Sequence, residues 1–207
     1  MAKIIVFSNR KGGTGKSTLC IQFANFLASQ GNNVAVLDVD PQQSVVDLRN
    51  REIETNPDAK LPWPVLFVGD KALQFMEQAQ QMGDGYILVD CPGTITESIM
   101  PVFHAADAVV IPFRYDDLIV DSTITFVKVL KKAGVRSKLM FLPNCIDVRV
   151  KIPSEEQIRN IFKEVGTVLP RIRQGVSIQR CSTLRPIDQY QKAAIEYSVN
   201  ELVREID

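Results

Sequence analysis

Short apolar runs alternate with longer amphipathic segments along the whole chain. A parallel sheet covered by helices on both faces produces this pattern. Its strands are buried on two sides and read as continuous Val/Ile/Leu runs, while the helices between them repeat apolar residues every three or four positions. Strands are expected at residues 3–8, 34–39, 65–68, 86–90, 108–113 and 138–143, and helices at 16–30, 71–82, 117–133, 153–165 and 188–206. In the first helix Leu19, Phe23, Phe26 and Leu27 share one face, and Gly31 behind it suits a left-handed cap. The fold class is α/β, a doubly wound, mostly parallel sheet with helices on both faces. Residues 50–64, with Pro57, Pro62 and Pro64, read as a surface excursion in which Trp63 pins the loop. The lone His104, behind Phe103 in a short helix, has no partner at ligand or triad spacing and is assigned a packing role.

Composition narrows the class without choosing a partner. The chain has 207 residues, 45% hydrophobic and 23% charged, with 24 basic and 24 acidic side chains. That is the profile of a globular protein able to bury one core, so a single domain over 1–207 is expected. The opening Met1-Ala2-Lys3 leads straight into a short apolar run, unlike a signal peptide, and no run approaches the ~18 apolar residues of a membrane span. A cytoplasmic location is the expectation. Cys20, Cys91, Cys145 and Cys181 contain no C-x-x-C pair, which argues against a zinc or iron–sulfur site and for free thiols.

The chemistry concentrates where strands end. After the first strand come Lys11-Gly12-Gly13-Thr14-Gly15-Lys16-Ser17-Thr18, leading directly into a helix. Glycines let successive backbone N–H groups face one anion, and the helix N-terminus adds positive partial charge. Lys16 meets the terminal phosphates, Ser17 can ligate magnesium, and Thr18 is counted with the nucleotide-binding residues. The common G-x-x-x-x-G-K-[ST] pattern would need glycine at position 10, but Arg10 stands there, with the extra Lys11 behind it. The second strand runs into Asp38-Val39-Asp40-Pro41-Gln42, and period-two alternation puts both carboxylates on one side. The fourth ends in Asp90-Cys91-Pro92-Gly93, the form of a Walker B strand, whose aspartate holds magnesium through a water while the Gly93 amide senses the terminal phosphate. Ten basic against four acidic residues between 136 and 185 make a basic region, densest around Arg171, Arg173, Arg180 and Arg185.

The segment K-G-G-T-G-K-S, followed by D-V-D-P-Q and by D-C-P-G, resembles the ParA/MinD family of deviant Walker A ATPases, closest to small ParA-type partition ATPases. The resemblance implies a P-loop ATPase that binds ATP and Mg²⁺ and pairs with a second copy around two nucleotides. Lys11 would reach the phosphates held by the partner copy; the plainer alternative is that Lys11 only raises the local positive field. Asp40 would position the attacking water, Asp38 would support the water and metal network, and Asn144 at the end of the sixth strand would read adenine. Asn144 is equally readable as a strand-end turn residue. The family also implies non-specific DNA contacts through the four arginines, a nucleoid-associated location, and a stimulating centromere-binding or adaptor protein, in partition of a plasmid, mobile element or other cargo. A MinD-like membrane helix is disfavoured, because the last segment, apolar at Ile195, Val199, Leu202, Val203 and Ile206, is net acidic. The rival from another class is a small-molecule kinase of the dethiobiotin-synthetase type, which would not need Lys11; a nitrogenase-reductase-like protein is disfavoured by the cysteine spacing.

Overall fold

The computed structural model describes residues 1–81 and 83–207. In chain order the elements are β1 (Lys3–Phe7), α1 (Lys16–Ser29), β2 (Val34–Asp38), α2 (Ser44–Thr55), β3 (Val65–Phe67), α3 (Ala72–Gln81), β4 (Tyr86–Asp90), α4 (Met100–Ala105), β5 (Ala108–Phe113), α5 (Asp117–Lys132), β6 (Lys138–Pro143), α6 (Glu155–Lys163), β7 (Thr167–Val168), α7 (Val176–Gln179) and α8 (Gln189–Ile206). The strands form one sheet in the order β3-β2-β4-β1-β5-β6-β7, and every pairing is parallel. The expected sheet class holds, with all seven strands parallel. Met82, given above as the end of the third helix, lies outside the described residues.

Alternation along each strand divides the core into two layers. Ile4 and Val6 of β1 join Val109, Ile111 and Phe113 of β5 on the face covered by α3 to α6. Ile5 and Phe7 join Val110 on the other face, covered by α1 and α8. The first layer is knit by aromatic rings: Phe162 of α6 stacks on Phe141 at 4.3 Å and meets Phe113 edge-on at 4.9 Å. In the second, α8 buries Ile195, Val199, Leu202 and Ile206 against that face, so the apolar stripe of the last helix is spent inside the protein. Its start is fixed by Asp188, whose Oδ1 accepts from the N–H groups of Tyr190 and Gln191 at 2.8 Å, while Gln191 Oε1 accepts from the Asp188 N–H at 3.0 Å.

Three readings change. Residues 50–55 are not part of a loop excursion but the second half of α2. The helix escapes an apolar-period search because its buried positions are Val45 and Arg49, and Arg49 is held by polar contacts. The Arg49 guanidinium donates to Thr183 Oγ1 (2.8 Å), Thr183 O (3.0 Å) and Trp63 O (3.0 Å), and lies 4.5 Å from the Trp63 ring centroid. Trp63, 2% exposed, donates from Nε1 to Asn25 Oδ1 at 2.9 Å, so it pins its loop to α1 as well as to α2. His104 does not pack: it is exposed, because Val102 and Phe103 take the inward face of α4 and the next residue turns about 100° away. The strand β7 and the four-residue α7 are additions too short for a periodic signal.

The Arg49 contacts make a stability prediction that Trp63, the single tryptophan, can report. Arg49→Ala leaves two buried carbonyls without donors and should cost on the order of 3 kcal/mol in urea unfolding followed by tryptophan fluorescence. Arg49→Lys, with no planar fork, should recover less than half of that loss.

Candidate functional site

β1 is flanked by β4 on one side and β5 on the other, and the register sets Phe7 beside Asp90 and Asp90 beside Asp38. The loop leaving β1 therefore emerges between strands whose carboxyl ends carry the other candidate groups, the place where open α/β sheets bind ligands. Asn9, wholly buried, anchors the start of this loop: its Nδ2 donates to Pro112 O (2.8 Å) and Thr123 Oγ1 (2.9 Å), and its Oδ1 accepts from the Lys11 N–H (3.4 Å). Thr123 in turn donates to Ile119 O at 2.8 Å, which ties the loop to α5. Gly13 and Gly15 adopt φ values of +73° and +95°, which side-chain-bearing residues rarely take.

Arg10, Gly12, Gly13, Gly15, Lys16, Ser17 and Thr18 line a cavity of about 370 Å³, closed on its other side by Asp40, Gln42, Ser44 and Gly93. A second cavity of about 530 Å³ adjoins it through Asp40, Gln42 and Gly93. Gly93 lies directly against the loop: a Cβ there would stand 2.8 Å from Arg10 O and 3.2 Å from Asn9 O. Lys11 is exposed and is not among the residues lining the cavity that its neighbours form.

The three aspartates have different surroundings. Asp90 is fully buried, and neither of its carboxylate oxygens has a well-formed hydrogen bond among the described residues. Burial pushes this carboxyl up to about 7; the nearby Ser17 hydroxyl and Lys16 ammonium act in the opposite direction, while Asp38 and Asp40 add to the rise. Asp38 is also fully buried, but its oxygens are committed to backbone: Oδ2 accepts from Val45 N–H (3.0 Å) and Val46 N–H (3.2 Å), Oδ1 from Asp40 N–H (3.2 Å). It fastens the first turn of α2 and does not line the loop cavity; burial raises its pKa despite those contacts. Asp40 is partly exposed to the cavity, with Oδ1 accepting from Gln42 N–H at 2.9 Å. Asp40 and Asp38 thus part company, one facing the cavity and the other holding the segment that presents it.

Asn144, 2% exposed at the end of β6, donates from Nδ2 to Thr14 O at 2.8 Å, while its Oδ1 is buried without a partner among the described residues. It supports the loop from beneath, and any side chain on Gly15 would collide with it, at 2.4 Å from Nδ2. Arg114, which the sequence reading did not single out, donates from Nη2 to Gly13 O at 3.2 Å. Its place directly after β5 was the available signal, since functional groups gather at carboxyl ends of parallel strands. The four basic candidates Arg171, Arg173, Arg180 and Arg185 are all exposed, but Arg171 pairs with Glu155 at 3.4 Å.

The residues fit a nucleotide with a divalent cation. The loop offers a glycine backbone beside a helix N-terminus, Ser17 offers a hydroxyl, and Asp90 is a buried carboxylate whose oxygens have no well-formed hydrogen bond among the described residues. Among the described residues no group of three or more His, Cys, Asp or Glu could hold a metal ion. Parallel sheet, loop and strand-end carboxylates together define a P-loop nucleotide-binding protein. Residues 3–129 match the family described as ATPase MipZ, and the chain belongs to that family. It is 26% identical to the chromosome-partitioning ATPase Soj of Treponema pallidum, covering 100% of this chain and 97% of that one. It is likewise 26% identical to an uncharacterized protein of Pseudomonas putida, over 66% of this chain; the match spans 65% of that relative's length. The structure of a plasmid partition protein from Borrelia burgdorferi bound to AMPPNP superposes with a TM-score of 0.76 over 99% of both chains at 17% identity, which shows a shared fold.

Gly93→Ala tests the contact between β4 and the loop. The added methyl cannot stand 2.8 Å from Arg10 O, so the loop must shift, at a cost of ~1–3 kcal/mol. A fluorescent ATP analogue should bind roughly 5- to 100-fold more weakly by titration; unchanged affinity would show that the loop yields freely.

Proposed function

We propose that this chain is an ATPase of the ParA/MinD partition type. It binds MgATP in the loop cavity, pairs with a second copy around two nucleotides, contacts DNA non-specifically in that state, and is reset when a centromere-binding or adaptor protein stimulates hydrolysis. The work done is partition or positioning of a plasmid, mobile element or other cargo. Family membership and the chromosome-partitioning and plasmid-partition relatives support this reading. The observation that carries it is Lys11, a signature cation that leaves its own cavity and stays exposed.

In this reading Gly12, Gly13, Thr14 and Gly15 turn their amides on the phosphates, and Lys16 neutralises the terminal groups. Ser17 would hold magnesium directly, with Asp90 holding it through a water; when bound, the ion supplies charge neutralisation across the phosphates. Asp40 accepts a hydrogen bond from the attacking water and orients it, while Asp38 keeps Asp40 in place through the Asp40 N–H and the first turn of α2. Asn144, buried beneath the loop, supports it through Thr14 O. Gly93, packed on the loop, couples the terminal phosphate to the segment behind β4.

Arg173, Arg180 and Arg185 are the stronger DNA candidates, since Arg171 is paired with Glu155. No helix among the described residues is long and apolar enough to cross a membrane. The apolar stripe of α8 is buried, which disfavours a MinD-like membrane helix in that segment.

Sedimentation with magnesium and a slowly hydrolysed ATP analogue tests the reading. The wild type should sediment as a dimer and Lys11→Ala as a monomer, with turnover lowered about 10³-fold, the low end for a cation supplied in trans. Dimerisation and turnover of Lys11→Ala at wild-type levels would refute it. Turnover that requires a small-molecule acceptor would favour the kinase.

A further inference from the structure

A loop that points its N–H groups at one anion must send its carbonyls the other way, and those carbonyls need donors. Two are met by side chains from strand ends: Thr14 O by Asn144 Nδ2 at 2.8 Å, and Gly13 O by Arg114 Nη2 at 3.2 Å. The Asn144 contact is buried, whereas the Arg114 contact is at the surface. Gly13 is the freer of the two positions: it is exposed, its φ is +73°, and nothing stands within 4 Å of where a Cβ would be. Packing therefore does not fix Gly13, and the Arg114 guanidinium is the side-chain donor that meets its carbonyl. Arg114 forms no ion pair among the described residues, so its donors are not claimed by a carboxylate.

We propose that Arg114 is a positioning residue for nucleotide binding: by holding the Gly13 carbonyl outward, it keeps the tip of the phosphate loop in its anion-receiving conformation before a nucleotide arrives. The proposal deepens the reading of the cavity as an MgATP site and rests on it. Arginine suits the task because its planar fork keeps donors in fixed directions and stays charged at any physiological pH. Its action differs from that of Lys16. Arg114 acts through the backbone of Gly13, so its effect is one of pre-organisation and is not screened by salt as a bare attraction to phosphate would be.

The experiment compares the full-length wild type with Arg114→Ala and Arg114→Gln. It measures the dissociation constant of a fluorescent ATP analogue with magnesium at low and high salt, and the melting temperature without nucleotide. Arg114→Ala should weaken binding ~3- to 10-fold at both salt concentrations, and Arg114→Gln, a neutral donor, should fall between it and the wild type. The nucleotide-free melting temperature should stay that of the wild type, because the side chain is exposed. Three results would overturn the proposal: affinity in Arg114→Ala within about twofold of wild type, a loss confined to low salt, or a drop of several degrees in the nucleotide-free melting temperature. A wild type that binds no ATP would remove the MgATP reading and this proposal with it. A wild type that binds, beside an Arg114→Ala that binds equally well, would remove the clamp alone.

Discussion

A carboxylate sealed inside a protein without a well-formed hydrogen bond is held there at a cost, and among the described residues Asp90 is such a group. Its position follows from the sheet. β4 lies between β1 and β2, so its last residue sits beside Phe7, where the phosphate loop begins, and beside Asp38, where the second strand ends. Burial pushes the carboxyl up to about 7, and the two neighbouring aspartates add to that rise. A cation bound beside Ser17 would offset that cost. The site is thus electrostatically incomplete in a way that a divalent cation with phosphate would complete.

The surrounding structure ties the loop down on several sides. Asn9 holds its start to β5 and α5, Asn144 holds Thr14 from beneath, Arg114 meets Gly13, and Gly93 closes against Arg10. These contacts come from the carboxyl ends of β1, β4, β5 and β6, so the parallel sheet acts as the common frame for groups far apart in sequence. Asp40 faces the cavity while Asp38 anchors α2, which links any shift of the Asp40–Ser44 segment to the helix behind it. Gln43, left-handed at φ +49°, marks that segment as one where the backbone is under constraint.

Much of this was legible from the chain. The bounds of β4, β5 and β6 coincide with their apolar runs, and α1 begins at Lys16, inside the glycine loop, because Gly15 can take the left-handed cap position. The loop and the strand-end aspartates could be read because phosphate chemistry constrains residue type and spacing together. What could not be read was held by long-range polar contacts. α2 hid because Arg49 takes an inward position on it, a choice that makes sense only beside Trp63 and Thr183. The D-x-D spacing puts both aspartates on one side of the strand but does not name the backbone N–H groups that Asp38 accepts from, since alternation gives the side of a strand and not the partner. His104, assigned a packing role because no partner stands at ligand or triad spacing, faces solvent, for a helix turns between one residue and the next.

The central claim is that Asp90 is an incomplete charge awaiting magnesium and phosphate. Its most direct test is the affinity for ATP with and without Mg²⁺, measured by titration calorimetry on the wild type and Asp90→Asn. The account predicts that magnesium tightens ATP binding to the wild type about tenfold or more, and that the substitution abolishes most of this increment while leaving magnesium-free binding as tight or tighter. An equal magnesium increment in both proteins would contradict it.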